Sequence, residues 1–141
     1  MAKKSNREAS PGKGSVSGDH QRKDKISNGA RRFALAAAKV AAERHCSDVV
    51  VLDLKGKSPA TDYFVIATGT SNRQMRTVAD ELCGAAKEQN LQRFGRAGYE
   101  QARWILLDFI NVVIHIFDSE YRDYYDLELL WGDAEKLIID N

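Results

Sequence analysis

Two apolar runs of strand length, Trp104-Ile105-Leu106-Leu107-Asp108 and Val112-Val113-Ile114-His115-Ile116-Phe117, lie so close together that a hairpin is the direct way to pair their backbone groups. Asn111 tolerates positive φ and can help that turn, although neither Phe109 nor Ile110 is a favoured turn residue. Strand alternation groups Trp104, Leu106 and Asp108 on one face and Ile105 with Leu107 on the other. It also sets His115 on the face opposite Ile114 and Ile116. A chain carrying this hairpin has to build a sheet, and the rest of the sequence must cover it.

Upstream, Val49-Val50-Val51-Leu52 marks a buried strand over Asp48 to Leu54, and Tyr63 to Thr68 reads as a second. Lys55 to Asp62, with Gly56 and Pro59, supplies the turn between them. Ala30, Phe33, Ala37, Val40 and Ala41 recur at helical spacing, which predicts a helix from about Gly29 to Arg44. Ser71 or Asn72 caps a second helix whose inward face is Met75, Val78, Leu82 and Ala85, ending near Gln89. Leu91 to Phe94 reads as a short strand, Gly95 and Gly98 as a flexible bend, and Glu120 to about Asp126 as a short helix, with an irregular run to Asn141. The expected fold is α/β, in the order α-β-β-α-β-β-β-α: a small mixed five-stranded sheet packed chiefly with two helices.

At 141 residues the chain suffices for one core. Residues 1–27 are rich in Lys, Ser and Gly and hold few aliphatics, so they read as a disordered basic arm before a domain at 28–131 and a C-terminal tail at 132–141. Before Ile26, seven basic residues face three acidic ones, a local charge of +4, while the remainder carries −3. A weakly acidic body argues against nucleic acid as its main partner, and the arm offers at most a weak contact to RNA. Cys46 and Cys83 form no C-x-x-C and no dense framework, no signal-like apolar segment stands near the start, and no apolar run reaches bilayer length. The expected setting is a reducing cytoplasmic one, away from membranes.

Chemistry-bearing groups are few. Thr68-Gly69-Thr70-Ser71 lies between a strand and a helix, where exposed N–H groups attract phosphate, and a nucleotide-binding or nucleotidyl-transfer enzyme would use such a turn. That enzyme would also need paired carboxylates for Mg²⁺. Beyond Gly69 no Asp-x-Asp or Asp-x-Glu stands on a plausible strand; Asp118 and Glu120 fit the spacing, but where a strand enters a helix. His115 reads more readily as a hydrogen-bonded structural group than as a base. Cys46 beside His45 gives at most two metal ligands, so neither metal nor cofactor is expected. Trp104 fits either a core or an interface hot spot, its face ending in an aspartate that a wholly buried surface would not readily hold. Trp131, spaced helically with Leu127 and Leu130, either staples the tail to the sheet or meets a partner.

Asp62-Tyr63-Phe64-Val65-Ile66-Ala67-Thr68-Gly69-Thr70-Ser71-Asn72-Arg73, Trp104 to Asp108, Val113 to Phe117 and Arg122-Asp123-Tyr124-Tyr125-Asp126-Leu127-Glu128-Leu129-Leu130-Trp131, in this order and spacing, resemble the ribosomal silencing factor family, also called Iojap-like. The resemblance covers about Phe33 to Trp131. It implies a fold related to nucleotidyltransferases without their catalytic carboxylates, and a non-enzymatic repressor of translation. It further implies docking on the large ribosomal subunit through the ribosomal protein numbered fourteen, blocking the small subunit, and it leaves a homodimer open. By position, Trp104, Asp108, His115, Arg122, Tyr125, Leu127, Leu130 and Trp131 match the family pattern and are expected to supply the partner-facing surface. Two departures stand out: Ile110 and Asn111 replace the glycine and aspartate common in the hairpin turn, and Ala97 replaces an acidic residue before Gly98.

Overall fold

The computed structural model describes residues 13–91 and 95–139. Its elements are α1 (Lys13–Glu43), β1 (Ser47–Asp53), β2 (Tyr63–Thr68), α2 (Asn72–Glu88), β3 (Gly95–Ala97), β4 (Trp104–Asp108), β5 (Val112–Phe117), α3 (Ser119–Tyr124), α4 (Leu127–Leu130) and β6 (Glu135–Leu137). They form one six-stranded sheet in the order β3-β4-β5-β2-β1-β6. β2 and β5 are parallel and the other neighbours antiparallel, so the sheet is mixed. Among the described residues no helix is long and apolar enough to cross a membrane.

Both long helices lie on one face. Ala30, Phe33, Ala34, Ala37, Ala38 and Ala41 of α1 and Met75, Val78, Ala79, Leu82 and Ala86 of α2 are buried against Val51, Val65, Ala67, Ile105, Leu107, Ile114 and Ile116. Alanine side chains let α1 sit close to the strands, and each larger aliphatic removed from water contributes roughly 1.5–3 kcal/mol. Ser71 caps α2 by accepting from Gln74 N, and Gln74 in turn donates Nε2 to Arg44 O, tying the end of α1 to the start of α2. The end of α1 turns through His45 at φ 76°, with Cys46 N bonded to Ala41 O and His45 N to Ala42 O, the pairing that satisfies the last helix carbonyls.

Four expectations need correction. Residues 13–27, read as part of a disordered arm, continue α1 back to Lys13: Gln21, Arg22, Lys23 and Lys25 are good helix formers, and propagation from a packed half, one bond per residue, carries the helix on through the poorer formers Gly14, Ser15, Ser17 and Gly18. Gly95 belongs to β3 rather than to a bend, with Gly95 opposite Asp108; the strand expected at Leu91 to Phe94 lies largely outside the described residues. The run after Asp126 is not irregular, since it holds α4 and then β6. The separate tail is thus part of the sheet, with Leu137 paired to Val51 and buried.

Candidate docking surface

The sheet face away from α1 and α2 carries Leu52, Ile66 and Phe117 as a second, smaller apolar cluster, with Phe64, Trp104, Tyr121, Leu127 and Trp131 packed on it. The short helices α3 and α4 fold across this face because three side chains fix their positions. Asp118 Oδ1 accepts from Tyr121 N at 2.8 Å and caps α3, and Asp126 Oδ1 accepts from Leu129 N at 3.3 Å to cap α4. Arg122 donates Nη1 to Thr68 Oγ1 at 3.0 Å and both Nε and Nη2 to Glu128 Oε1, at 3.1 and 2.8 Å. Its side chain is 10% exposed, so this guanidinium pins α3 and α4 to the end of β2. Leu127 and Trp131, one helical turn apart, point at the sheet. Leu129 and Leu130 point the other way, 78% and 72% exposed, and Tyr124 of α3 is 81% exposed.

An aromatic group continues from these helices onto the strands. The Trp104 ring stacks on Phe117 at 4.9 Å and meets Tyr125 at 4.8 Å, while Tyr124 stands edge-on to Tyr125. Trp131 meets Phe64 edge-to-face at 6.2 Å. His115 is only 4% exposed; its Nδ1 accepts from Trp104 Nε1 at 3.1 Å, and burial pushes its pKa down to about 3. A neutral, hydrogen-bonded imidazole is what the sequence leads one to expect here.

The eight residues singled out in the sequence therefore occupy four environments. Tyr125 and Leu130 are exposed and Trp104 is half-buried at the same surface. Leu127, Trp131 and Arg122 hold α3 and α4 in place, and His115 lies beneath the surface. Asp108 accepts from Ile110 N at 2.8 Å, which accounts for an aspartate at the end of this face without any partner. Tyr124 and Leu129, outside the expected set, expose more of their surface than Tyr125. The signal for Leu129 was present in Leu127-Glu128-Leu129-Leu130, where a helix that buries Leu127 and Trp131 must turn Leu129 outward.

With this geometry in view, the chain matches the family model described as "Ribosomal silencing factor during starvation" over residues 27–141. The chain belongs to the ribosomal silencing factor family. It is 45% identical over 92 residues to the ribosomal silencing factor RsfS of Halalkalibacterium halodurans, covering 65% of this chain and 79% of that protein. With RsfS of Bacillus subtilis it shares 40% identity over 98 residues, 70% of this chain and 83% of the relative. The chloroplastic protein Iojap of Zea mays is 32% identical over 102 residues, 72% of this chain and 44% of its own length. A crystal structure of a Chromobacterium violaceum protein superposes with a TM-score of 0.69 at 30% identity, covering 79% of this chain and 92% of that one. Membership places the protein among regulators of translation.

Two features of this silencing factor bear on the rival, nucleotide-handling use of the Gly69 turn. Gly69 N donates to Phe117 O at 2.7 Å and Thr70 N to Gln74 Oε1 at 2.9 Å, so both of these donors are engaged inside the protein. The glycine itself answers to packing: a Cβ at position 69 would stand 2.2 Å from Met75 Cγ. Asp118 and Glu120, the acidic pair at metal-ligand spacing, both bind Arg103, and these bonds raise the pKa of that guanidinium. Among the described residues no three His, Cys, Asp or Glu side chains gather as a metal site.

The departures from the family pattern are also visible. Positive φ in the hairpin turn falls on Ile110, at 74°, and not on Asn111 as expected. Asn111 N bonds Phe109 O across it, a γ-turn, and Asp108 holds Ile110 N from the other side. Ala97, with Gly98 and Arg103, lines a cleft beside Trp104. A Cβ at position 98 would lie 1.9 Å from Trp104 O, so only glycine lets these two segments approach.

Proposed function

We propose that this silencing factor represses translation by docking on the large ribosomal subunit through its protein fourteen, so that its bulk obstructs joining of the small subunit. The reading requires no reaction. It rests on family membership and on one observation above all: Tyr124, Leu129 and Leu130 are each largely exposed on two short helices that Arg122 pins to the sheet. Large apolar side chains on a fixed backbone bind without the cost of ordering that backbone, and a few such residues carry most of the energy of an interface. Tyr125 and Trp104 extend the same surface onto the strands. The basic N-terminal segment adds a weak, salt-sensitive contact to ribosomal RNA, because excess surface charge contributes mainly through counterion release.

Co-sedimentation with purified large subunits tests the docking surface. The double variant L129S/L130S removes two exposed side chains, so its thermal unfolding should match the parent while its affinity falls by at least about tenfold. A variant that sediments with large subunits as the parent does would show that this patch is not the docking surface.

A further inference from the structure

His115 is a polar ring in a place built for an aliphatic. It lies on β5 between Val113 and Phe117, paired with Ile66 on one side and Leu106 on the other, and the rings of Phe64, Trp104 and Phe117 surround it at 4.5 to 6.2 Å. Because Nδ1 accepts from Trp104 Nε1, the proton of the neutral ring sits on Nε2. That Nε2 is buried and has no hydrogen-bond partner. A buried donor without a partner destabilises a fold, and an apolar residue of similar shape would not carry that cost. What His115 provides and an aliphatic cannot is an acceptor for the Trp104 indole. Trp104 is half-buried at the surface, where water could satisfy its N–H equally well. The bond to His115 therefore selects one orientation of the indole over the others its site would allow.

We infer that His115 is a positioning residue for docking: through the Trp104 indole it holds the aromatic surface of Trp104 and Tyr125 in a single orientation before the partner arrives. This rests on the docking proposed above and adds what keeps that surface ordered. Fixing a side chain in advance removes its share of the ordering cost of association, which corresponds to an affinity gain of roughly tenfold.

The test compares H115L and H115N in the full chain. Leucine deletes the acceptor; asparagine, though smaller than histidine, places an oxygen near the position of Nδ1. Each is measured for affinity to purified large subunits, and the indole N–H resonance of Trp104 is followed by ¹⁵N NMR, with W131F assigning the two tryptophans. The expected result is that H115L binds about tenfold more weakly and shifts or broadens the Trp104 resonance, while H115N restores both. An H115L chain with parental affinity overturns the inference, as does an H115N chain that fails to recover it while folded. If neither variant folds, the parent decides: a Trp104 indole proton that exchanges with solvent as fast as a free surface indole contradicts the bond. A parent that does not bind large subunits at all overturns the docking itself, and the resonance then reports separately on whether His115 orients Trp104.

Discussion

Ile110 occupies a backbone conformation that a β-branched residue rarely adopts, with φ at 74° in a γ-turn and its side chain 53% exposed. Strain of this kind costs on the order of 1–3 kcal/mol, and so exposed a side chain recovers little of it by packing. I110G should raise the free energy of unfolding by about 1 kcal/mol, after allowing for the greater freedom of glycine in the unfolded chain. Urea unfolding measures this directly, and an unchanged or lower midpoint would mean that the turn is relaxed with isoleucine in place. His115 makes a prediction about acid. Burial lowers its pKa from 6.5 to about 3, so between these values the unfolded chain binds a proton that the folded chain refuses. Above pH 6.5 the group leaves stability unchanged; as pH falls below it, stability is lost at about 1.4 kcal/mol per unit until the ring protonates in the folded state. Between pH 6.5 and 5 the parent should therefore lose about 2 kcal/mol more than H115L. Parallel losses in the two proteins would show that His115 is not held neutral.

At the scale of elements, α3 and α4 depend on Arg122. Among the described residues, removing its side chain leaves the Glu128 carboxylate with Lys136, 3.7 Å away, and frees the Thr68 hydroxyl. Breaking a buried pair typically costs 3–5 kcal/mol; Glu128 is 27% exposed, so about 2 kcal/mol is expected for R122A. Calorimetry should show that loss together with weaker docking, since the helices that carry Leu129 and Leu130 are released. Normal stability with lost docking would instead make Arg122 a direct contact. The strands β1, β2, β4 and β5 were legible in the sequence because each is a run of branched or aromatic residues whose alternation decides its two faces. Ile105 and Leu107 do face the helices, and Trp104, Leu106 and Asp108 the other side. β6 was not legible: Glu135-Lys136-Leu137 is a three-residue edge strand with one apolar side chain, and only its pairing with β1 defines it. The beginning of α1 was not legible because Gly14, Ser15, Ser17 and Gly18 are poor helix formers and only continuation from the packed half makes them helical. For the proposed surface, sequence pattern marked the candidate residues but not which of them are exposed and which lie beneath. Arg122 and His115 match the family pattern as clearly as Leu130 does, and only their bonding partners reveal that they act from beneath.

Across the whole molecule the two sheet faces have different tasks. One is closed by α1 and α2 and holds the larger core; the other is half-covered by α3 and α4 and presents aromatic and leucine side chains to solvent. This division predicts that the chain shortened to begin at Lys25 keeps its thermal stability and loses only the salt-dependent part of its affinity for large subunits. Failure of the shortened chain to bind at any ionic strength would show specific contacts in the segment removed. Occupation of the large subunit by this protein should exclude the small one. This is tested by mixing purified large and small subunits with increasing amounts of the protein and reading the fraction of joined ribosomes on a density gradient. Joined ribosomes should fall toward zero as the protein saturates the large subunits, with the protein sedimenting alongside the free large subunits. Undiminished joining at saturating protein would contradict the account.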